Sequence, residues 1–291
     1  MGWLNTLIKK RSSDQAEMSF IDHLEELRWV ILRSLIAIVV AGIFIFLNTK
    51  FIFDHIIFAP KNPDFWTFRV MCKLGSWVHM SSLCVQNFNV PVQNIDFSGQ
   101  FMVSLQNAFT LGLVIVFPFV LWELWKFISP ALYEQERQKI YGIVLSGSLL
   151  FYLGVVFGYF LIVPFTVFFL GTYQVSTEVK NTISLSSYIE TVTGLSFACG
   201  LVFEFPLIIY LLAVIGVATH EILSGYRKYA VVFILLLSAV ITPSPDMVSQ
   251  TLVALPLYGL FEIGILISKK ITNSRMARRL EAEKRSKENS G

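Results

Sequence analysis

Ser19-Phe20-Ile21-Asp22-His23-Leu24-Glu25-Glu26-Leu27-Arg28 leads, through Trp29, into an apolar run over residues 30–47. At 1.5 Å per helical residue that run spans about 27 Å, close to the ~30 Å of a bilayer's hydrocarbon core. Acids gain nothing from lipid. A cluster of them at the foot of a spanning helix is expected to face water and to bind something cationic. Ser19 and Asp22 have the spacing of a capping box, with Asp where Glu is more usual, so a helix is expected to start here.

The rest of the chain agrees with a membrane setting. It has 291 residues, 55% hydrophobic and only 15% charged, with a mean hydropathy of +0.64. Soluble domains carry about 25% charged residues. Six spans are expected, over residues 30–47, 101–121, 140–169, 188–217, 229–241 and 247–267. The third is long enough to tilt. Spans five and six are short, and Pro243 and Pro245 between them force a sharp reversal. They either cross a locally thinned bilayer or form a re-entrant hairpin. Basic residues set the orientation. With the N-terminus inside, eighteen of the 23 lie on the cytoplasmic side, and only Lys50, Lys61, Arg69, Lys73 and Lys180 lie outside. Both termini are expected in the cytoplasm. The organisation is then a membrane domain over residues 1–270, holding a cytoplasmic N-terminal helix (1–29) and a long periplasmic loop (51–99), followed by a charged tail (271–291). That tail is a solvated helix or disordered. Cys72 and Cys84 share the periplasmic loop; in an oxidising compartment they either pair or remain buried thiols. Cys199 reads as a small apolar filler.

Four constellations carry chemistry. The first is the acidic foot. The second is Trp122-Glu123-Leu124-Trp125-Lys126-Phe127-Ile128-Ser129-Pro130-Ala131-Leu132-Tyr133-Glu134-Gln135-Glu136-Arg137, read as a cytoplasmic loop after span two. The third is Glu204 in Val202-Phe203-Glu204-Phe205-Pro206, placed near the middle of span four. An ionised acid at mid-bilayer costs roughly 2.5–3.5 kcal/mol, so Glu204 is a functional candidate by default. Pro206 should kink the helix beside it. The fourth is Thr242, Asp246 and Gln250 at the outer ends of spans five and six: a helix cap, or a polar docking face for another membrane helix. No phosphate-binding loop, zinc-protease motif or nucleophile elbow occurs. The four histidines are dispersed. No catalytic residue, cofactor, metal or nucleic-acid partner is expected.

Taken together, these segments resemble the TatC family, the multi-span receptors of the bacterial twin-arginine translocase. The resemblance runs from about Phe20 to Lys269. It rests on His23-Leu24-Glu25-Glu26-Leu27-Arg28; on Phe127-Ile128-Ser129-Pro130-Ala131-Leu132 with Glu136-Arg137; on Phe203-Glu204-Phe205-Pro206; on Thr242-Pro243 through Asp246 with Ser249-Gln250-Thr251; and on Phe261-Glu262-Ile263-Gly264. It implies an all-α, six-helix, concave, glove-shaped scaffold in the bacterial inner membrane. It implies a receptor and core subunit that binds twin-arginine signal peptides of folded precursors, with export driven by the proton gradient. It implies partnership with single-span TatA/TatB-type subunits and self-association in the bilayer. Glu26, Glu136 and Phe127, with His23 and Arg28 in the same motif, would meet the signal peptide. Glu204 and Pro206 would act within the membrane; Thr242, Gln250 and Asp246 would dock partners; Pro60 would shape the outer loop. Two features depart from the family: the turn from Thr242 to Asp246 is one residue longer than usual, and the loop over residues 61–92 is long and carries the cysteines. The alternative from another class is a small-cation secondary transporter with Glu204 as coupling acid. Inverted repeats would favour it, and none is evident.

Overall fold

The computed structural model describes residues 20–77, 90–129, 140–176, 178, 181–242 and 247–288. Helix α1 (Phe20–Leu47) carries the acidic foot and the first span as one continuous element. Ser19 lies outside the described residues. After α1 come α2 (Thr49–Ile52), a π turn (Phe53–Ile57), a 3-10 turn (Ala59–Lys61) and α3 (Trp66–Trp77). Helix α4 (Gly99–Ile128) is the second span. It runs seven residues past the expected end, because nothing after Pro118 interrupts it before Pro130. Half of the expected cytoplasmic loop is therefore helix. Pro118 is tolerated inside it, as prolines are in membrane helices.

The third span is α5 (Ile140–Phe157), a π turn (Gly158–Ile162) and α6 (Val163–Thr172). The fourth is α7 (Leu185–Phe203) and α8 (Phe205–Ile215). Then follow α9 (His220–Gly225), α10 (Arg227–Ile241) and α11 (Met247–Glu288). Among the described residues, five stretches are long and apolar enough to cross a membrane; the fifth begins at Gln250 on α11. The remaining expected span, α10, has 15 residues, or about 22 Å. Helix α11 has 42 residues, so it continues as one helix well beyond bilayer thickness and includes most of the charged tail.

Small residues let these helices approach. A Cβ on Gly112 of α4 would lie 2.9 Å from the Gly42 nitrogen of α1. One on Gly154 of α5 would lie 2.6 Å from the Cys199 carbonyl of α7, and one on Gly158 would lie 2.9 Å from the Ser196 Cα. Cys199 is a free, buried thiol in that seam, as a small filler should be. Between α4 and α5, Phe117 and Phe151 stack at 3.5 Å. Ile36, Val40, Phe44 and Leu47 of α1 are exposed, forming a face that suits lipid rather than water.

The outer end is tied across long sequence separations. The Tyr188 hydroxyl donates to the Ile57 carbonyl at 2.8 Å, and that of Tyr159 to Ile56 at 2.7 Å. The Thr67 hydroxyl donates to the Phe160 carbonyl. A two-residue parallel ladder, β1 (Val92–Gln93) with β2 (Ile183–Ser184), joins the two outer loops. Pro60 is buried in the 3-10 turn.

The fourth span corrects two expectations. Glu204 is not central: α7 supplies 19 residues before it and α8 only 11 after it. Pro206 does not kink a continuous helix. The helix ends at Phe203, the chain turns at Glu204 (φ −73°, ψ −5°), and Pro206 sits in the first turn of α8. A proline there forfeits no helical bond, since first-turn N–H groups lack intrahelical partners. The Glu204 N–H donates to the Leu201 carbonyl at 3.1 Å; its own carbonyl accepts from Leu207 and Ile208.

Candidate functional site

The foot of α1 meets the end of α4. The His23 ring stacks on Phe127 with centroids 4.2 Å apart and planes 16° from parallel. Glu26 comes three residues after His23, about one helical turn on, and is half-buried. It has no hydrogen-bond or ion-pair partner among the described residues. Arg28 is exposed. The structure thus brings His23 and Phe127 together with Glu26 beside them. Glu136 lies outside the described residues.

One contact was not anticipated. Arg33 Nη1 donates to Glu123 Oε2 at 3.3 Å, with the Glu123 side chain 7% exposed and that of Arg33 50% exposed. Arg33 lies seven residues beyond Glu26, on the same face of α1. Glu123 lies one turn before Phe127 on α4. The signal was a cation and an acid each set just inside an apolar run. Their pairing across 90 positions had no local mark.

Glu204, where α7 gives way to α8, is 7% exposed, with neither carboxylate oxygen hydrogen-bonded to any described residue. Gly147 of α5 makes room for it: a Cβ there would lie 3.2 Å from Glu204 Oε2, and 2.8–2.9 Å from methyls of Leu121 and Leu207. The neighbouring Ser148 hydroxyl is also buried without a partner.

At the outer end, Thr242 is 2% exposed and its hydroxyl donates to the Ser238 carbonyl of its own helix. Gln250 Nε2 reaches from α11 to the Leu235 carbonyl of α10 at 3.1 Å. The Thr242 hydroxyl is thus bonded within its own helix, and Gln250 ties α11 to α10. Asp246 lies outside the described residues. At the inner end, Glu262 accepts from Arg227 Nη2 at 2.9 Å and from the Tyr258 hydroxyl at 3.0 Å. Cys72 is disulfide-bonded; Cys84 lies outside the described residues.

The family model for Sec-independent protein translocase protein (TatC) matches residues 22–256. The chain belongs to the TatC family. A TatC of Blattabacterium (strain BPLAN) is 38% identical over 258 residues, covering 88% of this chain and 97% of that one. A TatC of Helicobacter pylori strain 26695 is 35% identical over 249 residues, covering 86% and 87%. That of Escherichia coli K12 is 37% identical over 179 residues, covering 60% and 67%. The fold is similar to a crystal structure of the twin arginine translocase receptor TatC, with a TM-score of 0.61, 29% identity, and coverage of 86% of this chain and 99% of that one. A second crystal structure of that receptor, in DDM, gives 0.63 at 31% identity, covering 85% and 99%. This TatC chain is accordingly a multi-span inner-membrane protein and a component of the Sec-independent, twin-arginine translocation system.

Proposed function

We propose that this chain is the receptor that binds twin-arginine signal peptides of folded precursors. In this reading Glu26 and Glu136 are the two carboxylates that take the two guanidinium groups. The observation that carries it is the His23–Phe127 stack, which holds the foot of α1 against the end of α4 with Glu26 unpaired beside it. The chain segment leaving α4 leads to Glu136. Guanidinium is a planar fork that a carboxylate accepts bidentately, whereas ammonium is a compact point charge. Two adjacent arginines in an extended peptide point apart, so two acids from separate segments suit them. Arg28, exposed on α1, sets a positive charge beside the acids that orients the peptide. No catalytic step is assigned to the chain; its work is binding and assembly.

Membranes containing this chain should bind a twin-arginine peptide about tenfold or more tightly than the same peptide with Lys-Lys, from the lost charge-assisted bonds. Equal binding of the two overturns the reading. It would favour the alternative, a small-cation transporter, for which the buried, unpartnered Glu204 is the one supporting observation.

The remaining roles follow the same scaffold. Thr242, Gln250 and Asp246 together form the polar group that docks the single transmembrane helix of a TatA/TatB-type subunit. Buried Pro60 holds the outer loop in place. The Cys72 disulfide closes on Cys84, the other cysteine of that loop. Protein from an oxidising compartment should then offer no alkylatable thiol at either position until reduced; two thiols reactive without reduction refute the pairing.

A further inference from the structure

We propose that Arg33 and Glu123 are specificity-determining residues, with Arg33 acting as a built-in guanidinium that occupies a third carboxylate beside the peptide site. The proposal rests on the twin-arginine reading above.

Glu123 lies one turn, about 6 Å, before Phe127, and Arg33 lies two turns, about 10 Å, beyond Glu26. The pair and the ring stack therefore bridge the same two helices, α1 and α4. Arg33 is half-exposed while Glu123 is 93% covered, and the contact is a single bond to one carboxylate oxygen. With Arg33 present, Glu123 is occupied, and it adds nothing to the acids of the foot that face the peptide. Without it, Glu123 becomes an added, uncompensated anion about two helical turns from Glu26, and an added anion attracts any cation. Ammonium gains as much from added negative charge as guanidinium does, but gains less from a bidentate fork. A surplus carboxylate thus raises lysine binding more than arginine binding. Specificity here depends on hiding charge as well as on presenting it.

The pair makes predictions of opposite sign. Arg33→Gln frees Glu123 and should raise Lys-Lys peptide binding about tenfold while changing Arg-Arg binding about twofold at most. The ratio between the two peptides then falls about tenfold. Glu123→Gln frees Arg33 to compete for Glu26 and should weaken Arg-Arg binding about tenfold. Combining the two substitutions removes both the surplus anion and the competing cation, so the wild-type ratio returns. Removing only the partner of a buried acid is more disruptive than replacing both groups, so the combined variant also shows whether accumulation was the limit.

The measurement is binding of the two fluorescent peptides to membranes normalised for the amount of this protein. An unchanged ratio in Arg33→Gln overturns the proposal, as does equal loss of both peptides there. If only Glu123→Gln accumulates, undiminished Arg-Arg binding overturns it, and so does a loss that the second substitution does not reverse. Failure of the wild-type protein to discriminate the peptides is a separate result: it removes the twin-arginine reading itself, and this inference with it.

Discussion

Glu26→Ala and Glu136→Ala should each reduce crosslinking of a twin-arginine peptide by roughly ten- to a hundredfold, while the protein still accumulates in the membrane. A charge-assisted hydrogen bond contributes about 1.5–3 kcal/mol, and each 1.4 kcal/mol is tenfold in affinity. Neither change should cost the fold much. Glu26 is half-buried and has no hydrogen-bond or ion-pair partner among the described residues, so alanine breaks no polar contact to them. The double variant should lose specific crosslinking altogether, because the peptide then has two guanidinium groups and no carboxylate to receive either. Helix α1 also remains clamped in both variants, since the His23–Phe127 stack and the Arg33–Glu123 bond do not involve either acid. The control is therefore clean: the platform persists and only its charges go. A stable double variant that crosslinks like the wild type sinks the assignment of the site.

The parts of this molecule that were readable from residues alone share one property, which is that their signal is local. Residues 30–47 and 101–121 are apolar for long enough to demand lipid, and both fall within observed helices. The acids at Glu25 and Glu26 stood out because nothing in a bilayer stabilises them. Element ends were less legible. Trp122 to Ile128 looked like a loop because it mixes acids and aromatics, yet helix needs only the absence of a breaker, and Pro130 is the first one. Pro206 signalled a break correctly. One residue's spacing decides whether a proline kinks a helix or starts a new one, and only the turn at Glu204 shows that it starts α8. The contacts that build the site are non-local. His23 finds Phe127 across 104 positions in the chain, and Arg33 finds Glu123 across 90. Periodicity reports which face of a helix is apolar; it does not report which residue of another helix will lie opposite. Thr242 shows the converse limit. As a polar residue near a membrane surface it reads as a docking group, and nothing in that reading shows that its hydroxyl also donates to the Ser238 carbonyl four residues back, a local bond that serine and threonine make readily within helices.

Glu204→Gln should leave twin-arginine peptide binding within about twofold of wild type and lower export by more than about tenfold. The separation follows from distance. Leu121, which lines the space around Gly147 with Glu204, lies six residues before Phe127 on α4, or about 9 Å deeper. On its own span, Glu204 has the 11 residues of α8 beyond it, about 16 Å of helix. A peptide arginine held at Glu26 does not reach it. What reaches that depth is the apolar segment following the arginines, or the helix of a partner subunit. Glutamine keeps the shape of the side chain and the packing against Gly147, Leu121 and Leu207, but it removes the carboxylate. An ionised acid with neither oxygen bonded is costly to keep away from water. Nothing in the helix packing around it requires an acid. A polar group from an inserted peptide or a docked helix is expected to supply the missing partner. Peptide crosslinking at Glu26, crosslinking of partner subunits near Gly147, and export of a folded precursor should be measured on the same membranes. The expected pattern is preserved initial binding with lost assembly and export. Equal loss of initial binding and assembly would show instead that Glu204 supports the fold of the peptide site, and the division of labour between the mouth and the buried acid would fail.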